Sequence, residues 1–453
     1  MRIHFIAIGG SAMHNLAIAL KINGHDVTGS DDEIFEPSRG RLKKYGLLPD
    51  SEGWHPEAIS KELDAIILGM HARPDNPELL RAQKIGAKIY SYPEFLYAHA
   101  KNKKRVVIGG SHGKTTITAM IMHVLKYWKW DFDYLVGSKL RDFEVMVRLS
   151  DKAPVMIFEG DEYLSSPIDR RPKFHWYHPH IALLSGIAWD HINVFPTFEN
   201  YLEQFSVFIN LIEKNGTLIF NAEDVQLATL VSNNGKDIRK IPYKTPEFEI
   251  KEGASYVFDG ETKIPMKIFG RHNLQNMNGA RMVCNALGLT DQQFFEAVSG
   301  FRGAAKRLEL VMQKGQGRFF SDFAHAPSKL QATLEAVKAQ FPKQRVIACF
   351  ELHTFSSLNT DFLEQYAGSM DAADNAIVYF SPHALQMKRL PMLNKQKIKN
   401  AFCRDNLLVF DDVKKLKDWL MNNSSHEDIF LMMSSGTFDG INMKTLATQL
   451  LEE

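Results

Sequence analysis

The sequence predicts an α/β protein of three domains in which short apolar strands alternate with helices around mostly parallel sheets. Three observations lead to that class. Residues 2–29 read as strand, glycine turn, helix and strand; residues 105–120 repeat strand, turn and helix with a lysine and two threonines at the helix start; and from residue 318 strands and helices alternate regularly. A chain of 453 residues, 45% hydrophobic and 24% charged, has room for roughly two to four domains with large cores. The net charge of +1, from 54 Lys+Arg against 53 Asp+Glu, excludes a global field that recruits nucleic acid or anionic membrane. Any anionic ligand must therefore be held locally. Cys284, Cys349 and Cys403 are scattered and lack C-x-x-C spacing, which predicts buried thiols in a reducing compartment rather than a disulfide framework or a zinc site.

Residues 2–8 read as a buried strand, Gly9-Gly10-Ser11 as a tight turn, residues 13–22 as a helix stopped near Gly24, and residues 25–29 as a second strand with Asp31 just beyond it. The apolar run is too short for a signal peptide and no membrane-length stretch follows, so a cytoplasmic protein is expected. An acid about twenty residues after a glycine turn is where dinucleotide folds hold a ribose hydroxyl. The turn is not G-x-G-x-x-G, so a nucleotide site and a purely structural Rossmann-like domain stand as alternatives. Strands at 65–68 and 88–90 and a helix from Glu94 complete a domain of residues 1–103. The basic run Lys101-Asn-Lys-Lys-Arg105 is expected to be a solvated linker, because no aromatic residues interleave with it.

The second domain, residues 104–302, opens with the stretch Arg105-Val-Val-Ile-Gly-Gly-Ser-His-Gly-Lys-Thr-Thr116. Backbone N–H groups freed by Gly109, Gly110 and Gly113 can converge on phosphate oxygens, the helix N-terminus adds its positive end, and Lys114 reaches the terminal phosphates. Thr115 would hold Mg²⁺. The spacing departs from G-x-x-x-x-G-K-[ST], since Ile108 stands at the first glycine position, but the preceding strand and following helix carry the reading. A strand at 155–158 ends in Glu159-Gly-Asp-Glu162, carboxylates expected at the metal, and a strand at 181–184 leads to Asp190-His191 on the same edge. A helix at 197–211 and a strand at 217–220 follow, then a small β excursion over 236–269. Gly270-Arg-His-Asn-Leu-Gln-Asn276 opens a helix to residue 287, with Asn273 and Asn276 on one face, where amides cap the helix or read a purine edge. The third domain, residues 303–453, has strands at 318–321, 345–350, 376–379 and 429–433 and helices at 328–339, 362–370 and 413–421. Its strand ends carry Asp322-Phe-Ala-His325 and Glu351-Leu-His353.

Taken in order, Gly110-Ser-His-Gly-Lys-Thr-Thr116, Glu159-Gly-Asp-Glu162, Asp190-His191, Gly270-Arg-His-Asn273, Lys306-Arg-Leu-Glu309 and Asp322-Phe-Ala-His325 resemble the Mur ligase family over nearly the whole chain. The resemblance implies a Rossmann-like domain for a UDP-sugar, a central P-loop ATPase domain and a C-terminal Rossmann-like domain for the incoming amine. It implies an ATP-dependent, ADP-forming ligase that uses Mg²⁺ and acts on UDP-N-acetylmuramate and a peptide or amino-acid amine through an acyl phosphate. Carried over by position, Gly110, Ser111, His112, Gly113, Lys114, Thr115 and Thr116 would cradle ATP. Asn273 and Asn276 would face its adenine, and Arg307 and Asp322 would close over it. Lys114, His191 and Arg307 would be the catalytic groups, and Thr115, Glu159 and His191 the metal ligands. Thr28-Gly-Ser-Asp31 and Gly69-Met-His-Ala-Arg-Pro-Asp-Asn-Pro77 are similar to the UDP-sugar domain, which assigns Gly9, Gly10, Ser11, Ser30, Asp31, His71 and Arg73 to the sugar nucleotide and replaces the dinucleotide reading.

Several members carry a carbamylated lysine in the helix after the histidine, whereas Tyr201-Leu-Glu-Gln-Phe205 offers none. That places the chain with the branch that adds to unmodified UDP-N-acetylmuramate. Within it, Glu159-Gly-Asp-Glu-Tyr163, Ile168-Asp-Arg-Arg-Pro-Lys-Phe174 and Met433-Ser-Ser-Gly-Thr-Phe-Asp-Gly-Ile441 are similar to members that re-use the tripeptide L-alanyl-γ-D-glutamyl-meso-diaminopimelate, the alanine-adding type being the competitor. Phe350-Glu-Leu-His-Thr-Phe-Ser-Ser357 departs from the Glu-Pro-Arg-Ser pattern of the tripeptide type. From other classes, an ATP-hydrolysing switch and a UDP-sugar-binding regulator are the rivals.

Overall fold

The computed structural model describes residues 1–140, 142–189, 194–304 and 307–452. The chain forms two compact units, Met1–Lys244 with Asn276–Val298, and Thr245–Gln275 with Ser299–Glu453.

The first unit holds two sheets. Strands β1 (Arg2–Ile6), β2 (Asp26–Ser30), β3 (Ala65–Leu68) and β4 (Ile89–Ser91) form a parallel sheet in the order β2-β1-β3-β4. Ile6 pairs with Ser30 on one side and Leu68 on the other, so the turns after all three strands leave from one edge. The second sheet contains β5 (Lys104–Gly109), β6 (Phe132–Leu135), β7 (Val147–Arg148), β8 (Val155–Glu159), β9 (Ile181–Leu184), β10 (Thr217–Asn221) and β11 (Arg239–Tyr243). Its order is β11-β10-β9-β5-β8-β6-β7, parallel except for β7. Strand β5 lies in the middle with Val106, Val107 and Ile108 fully buried, as expected of an unbroken apolar run covered on both faces. Pairing of Ile108 with Glu159 and of Gly109 with Leu184 brings three strand ends to one edge.

One apolar cluster runs from Ile3 and Phe5 in the first sheet to Phe158 in the second and to Phe174 and Phe208 in the helical segments that cover it. Polar contacts reinforce it. Met146 N donates to Asn15 Oδ1 at 3.1 Å, and Asn23 Nδ2 donates to the Leu149 carbonyl at 2.7 Å. The basic run 101–105, expected to be solvated, is so at Lys101, Asn102 and Lys104, whereas Lys103 and Arg105 are buried and form a joint between the sheets. Lys103 Nζ donates to Asp133 Oδ2 at 2.8 Å and to the Ala153 carbonyl at 3.0 Å. Arg105 reaches the Tyr177 and Lys101 carbonyls at 2.9 and 2.7 Å and Glu213 at 2.6 Å. A buried cation is tolerated when carboxylates and carbonyls take its donors, and here they do.

In the second unit β12 (Phe248–Lys251), β13 (Ala254–Asp259) and β14 (Thr262–Met266) make an antiparallel sheet, the expected β excursion. Strands β15 (Glu309–Lys314), β16 (Gly317–Asp322), β17 (Val346–Leu352), β18 (Asn375–Phe380), β19 (Leu408–Phe410) and β20 (Ile429–Met433) follow in the order β15-β16-β20-β17-β18-β19, with only β15 antiparallel. Two expectations need correction. The helix expected over 362–370 is a single 3₁₀ turn, Leu363–Tyr366, because Gly368 takes a left-handed φ of +73° and turns the chain away. Cys403 is exposed, whereas Cys284 and Cys349 are buried as expected.

Candidate functional site

Strand β5 stops at Gly109 and the helix Lys114–Tyr127 starts five residues later, with a turn that only glycine can make at two positions. Gly110 has φ +119° and Gly113 has φ +78°. A Cβ would stand 2.3 Å from Ser185 Oγ at Gly110 and 2.3 Å from Asn276 Oδ1 at Gly113. The loop is held from below, where Ser111 N donates to the Gly186 carbonyl at 3.0 Å and the Ser185 hydroxyl donates to the His112 carbonyl. Gly113, as the N-cap, supplies no side-chain acceptor to the first helical turn. Such a turn suits an oxyanion.

Lys114 Nζ donates to the Gly110 carbonyl at 2.7 Å and to Glu162 Oε2 at 2.6 Å. Burial pushes its ammonium down, but Glu162, Asp161 and Glu159 outweigh burial and hold it above the usual lysine range. It stays a cation. The Tyr201 hydroxyl donates to Glu162 Oε1 at 3.2 Å and lies 3.0 Å from Ser111 Oγ, which accepts from Ala188 N at 2.8 Å. Thr115 Oγ1 donates to Glu159 Oε1 at 2.7 Å, and Gly137 N donates to Glu159 Oε2 at 2.7 Å. A hydroxyl and a carboxylate at the phosphate loop fit Mg²⁺, which takes few protein oxygens and completes its shell with phosphate and water. Among the described residues no group of three or more His, Cys, Asp and Glu could hold a metal ion. Asp190 and His191 lie outside the described residues.

The residues assigned to the sugar nucleotide collect on one edge of the first sheet. Gly9 N donates to Asp31 Oδ2 at 2.7 Å, and Ser30 Oγ donates to the buried Glu78 at 2.6 Å. His71 and Arg73 are exposed in the turn after β3, and Gly10 precedes Ser11, the first residue of the helix Ser11–Ile22. Burial, aided by Asp32, pushes the Asp31 carboxyl up to about 6. Between this edge and the phosphate loop lies a cavity of about 310 Å³, lined by Ser11, Asn15 and Tyr92 on one side and by Lys114, Glu159 and Lys173 on the other. Asp161, also in its wall, is pushed up by burial but held below the usual carboxylate range by Lys173 and Lys114.

Asn276 packs against Gly113, and Asn273 donates from Nδ2 to the Phe269 carbonyl at 3.0 Å, closing the first turn of the helix Arg271–Leu287. In the second unit the Arg307 guanidinium sits 4.6 Å from the centre of the Phe323 ring. Asp322 beside it accepts from Leu308 N at 2.5 Å and Ala324 N at 2.7 Å, so its carboxylate shapes the turn after β16. The sequence reading missed Tyr201, Ser185, Gly137 and Lys173. A tyrosine in an amphipathic helix reads as core, and nothing in the spacing says that its hydroxyl meets Glu162.

Comparison with known proteins agrees along the chain. Residues 2–104 match the Mur ligase family, catalytic domain, residues 108–284 the Mur ligase middle domain, and residues 306–436 the Mur ligase, glutamate ligase domain. The UDP-N-acetylmuramate–L-alanine ligase of Clostridium acetobutylicum is 29% identical, with 96% of this chain and 95% of that protein covered. Its counterpart from Caldicellulosiruptor bescii is 30% identical, covering 83% and 82%. Among solved structures, the murein peptide ligase Mpl of Psychrobacter arcticus superposes with a TM-score of 0.67 at 23% identity, covering 100% and 99% of the two chains. MurC of Thermotoga maritima superposes at 0.73 and 20%, covering 100% and 98%. At those identities the two structures speak to the fold, which is the three-domain architecture of α/β sheets that these ligases share. A glycine turn with its lysine paired to a buried acid, a threonine and carboxylate beside it, and family matches running from residue 2 to residue 436 converge: the chain belongs to the Mur ligase family and is an ATP-dependent, ADP-forming ligase.

Proposed function

We propose that this ligase joins UDP-N-acetylmuramate to L-alanyl-γ-D-glutamyl-meso-diaminopimelate, returning a recovered peptide to cell-wall synthesis in the cytoplasm. Among the described residues no helix is long and apolar enough to cross a membrane. The observation that supports the reading is a cavity lined both by Ser11 and Asn15, from the helix that follows the glycine turn of the first sheet, and by Lys114 and Glu159 of the second, with room for a sugar carboxylate beside the phosphate. On this reading residues 1–103 take the sugar nucleotide, 104–302 take ATP and 303–453 take the amine.

In the first step a carboxylate oxygen of the lactyl group attacks the γ-phosphorus, an O–P bond forms, the bridging O–P bond to the β-phosphate breaks, and ADP leaves. Lys114 binds the transferring phosphoryl group, and the loop N–H groups of Gly110 and of residues 112–116 hold the other phosphates, so the chain supplies alignment and charge rather than a nucleophile. Thr115, Glu159 and His191 would hold Mg²⁺, which neutralises phosphate charge when bound. Asn273 and Asn276 are assigned to the adenine and Arg307 and Asp322 to the nucleotide from the third domain. In the second step the peptide amine attacks the acyl carbon, a C–N bond forms, the acyl C–O bond breaks, inorganic phosphate leaves with that oxygen, and the amine nitrogen gives up its proton to solvent.

The tripeptide is favoured by the similarity over 159–174 and 433–441. A peptide with several carboxylates needs cations, and Arg171 is committed to Asp169 at 2.9 Å and to the Trp176 ring at 4.1 Å. Lys388, over the exposed Phe355 ring at 4.7 Å, and its neighbour Arg389 are the candidates in the third domain. L-alanine is the second reading, favoured by the names of the relatives at 29% and 30% identity. With UDP-N-acetylmuramate, ATP and Mg²⁺, initial rates of phosphate release with tripeptide or L-alanine at equal concentration decide between them. A preference for L-alanine overturns the tripeptide, and phosphate release without any amine favours a nucleotide switch over both.

A further inference from the structure

The cavity beside Lys114 contains one polar group for which the fold has no use. Tyr92 opens the helix Tyr92–Ala100, is 5% exposed and lines the cavity, yet its hydroxyl has no hydrogen-bond partner among the described residues. An unpaired buried hydroxyl is a net cost to folding, and phenylalanine would fill the same space without it. Burial pushes the phenol well up, so it remains a donor at any physiological pH. The neighbouring walls show what acceptor would suit it. Lys173 lines the same cavity and gives one donor to Asp161 at 2.6 Å, and an ammonium has three. Lys114, by contrast, is already held by the Gly110 carbonyl and Glu162 and is required at the phosphate.

We propose that Tyr92 and Lys173 are specificity-determining residues that together receive the carboxylate of the acid sugar. The proposal rests on the reading of UDP-N-acetylmuramate as substrate and names what selects it. A carboxylate entering this cavity meets two like charges, Glu159 and Asp161. Lys173 neutralises Asp161 locally and offers the anion a cation of its own. Tyr92 adds a neutral donor, so one carboxylate oxygen is bound by the pair and the other is free to face the phosphoryl group. A sugar nucleotide lacking the lactyl carboxylate leaves both donors without an acceptor. Sites built around a hydrogen bond reject such analogues strongly.

The test compares UDP-N-acetylmuramate with UDP-N-acetylglucosamine, which carries the same nucleotide and no lactyl group, by titration calorimetry on the full chain without ATP. Tyr92→Phe is expected to weaken UDP-N-acetylmuramate about 5- to 30-fold while leaving UDP-N-acetylglucosamine within about twofold and the melting temperature unchanged or higher. Lys173→Met is expected to show the same selective loss, larger than tenfold, partly recovered in Lys173→Arg. If the wild type binds the acid sugar preferentially and both variants keep that preference, the proposal falls and the substrate reading stands. If the wild type shows no preference, both fall. Equal weakening of the two ligands, or a clear drop in the melting temperature of Tyr92→Phe, assigns the hydroxyl to the fold and overturns the proposal.

Discussion

Replacing Lys114 by Met is expected to do two separable things. The Lys114 and Glu162 side chains are 15% and 1% exposed, and their charged atoms are 2.6 Å apart. Removing the cation takes the ammonium from a buried carboxylate that also accepts from the Tyr201 hydroxyl at 3.2 Å. Breaking one side of a buried pair costs about 3–5 kcal/mol, whereas removing both charges together is close to neutral. Lys114→Met should therefore destabilise the first unit by about that amount, and Lys114→Met with Glu162→Gln should recover most of it. Activity follows another rule, because the transferring phosphoryl group loses its point charge in both variants. Neither should turn over. The stability arm is read by hydrogen exchange over Lys104–Gly109 and Lys114–Tyr127, which reports on the first unit by itself, and the activity arm by phosphate release. A single variant as protected as the wild type, or a double variant no better than the single, refutes the pair energetics. Wild-type turnover in either refutes the role of Lys114.

Glu159→Ala removes the carboxylate at Thr115 and should lower activity in a way that raised Mg²⁺ partly restores; an unchanged Mg²⁺ dependence would count against a metal role. Gly113→Ala forces a methyl group to 2.3 Å from Asn276 Oδ1 at φ +78° and should weaken ATP binding at least tenfold, checked by nucleotide titration. Burial pushes the Asp31 carboxyl up to about 6 from the ordinary 3.8 of an exposed aspartate, so the folded state binds the extra proton between those values. Stability should accordingly fall as pH rises from about 4 to about 6 and level off above, with Asp31→Asn flattening that slope and raising the melting temperature at pH 7.5; melting curves across pH check the sign.

The strands at 65–68, 181–184 and 429–433 were legible to the residue, because parallel strands buried on both faces appear as unbroken apolar runs between turn residues. The strand, glycine turn and helix at 104–127 were legible despite Ile108, because the glycines lie between an apolar run and a helical pattern. Elements whose pattern is mixed were harder. β15, with the sequence Glu-Leu-Val-Met-Gln-Lys, is a half-buried antiparallel edge and carries too little apolar signal to stand out. Lys103 and Arg105 in the basic run misled for a different reason. Local composition records charge but not the distant Asp133, Glu213 and carbonyls that accept it, and the Tyr201 hydroxyl and Tyr92 phenol are hidden in the same way. Side-chain partners far apart in sequence are a property of the packed sheet arrangement.

The buried joint at Lys103 and Arg105 has a bearing on what the enzyme must do each time it turns over. On the proposed function, a flexible tether would leave the glycine turn of the first sheet and the loop before Lys114 to find one another afresh with every substrate pair, and each search would be charged against the rate as lost rotational and translational freedom. Here that freedom is surrendered when the chain folds. Lys103 on Asp133, Arg105 on three backbone carbonyls and Glu213, and Asn15 on Met146 hold the two sheets in one body. If the two substrates bind where proposed, the carboxylate and the phosphoryl donor then need only bind to be neighbours. Loosening this joint, although it lies away from the reacting atoms, should slow formation of the acyl phosphate while leaving each substrate to bind on its own as before.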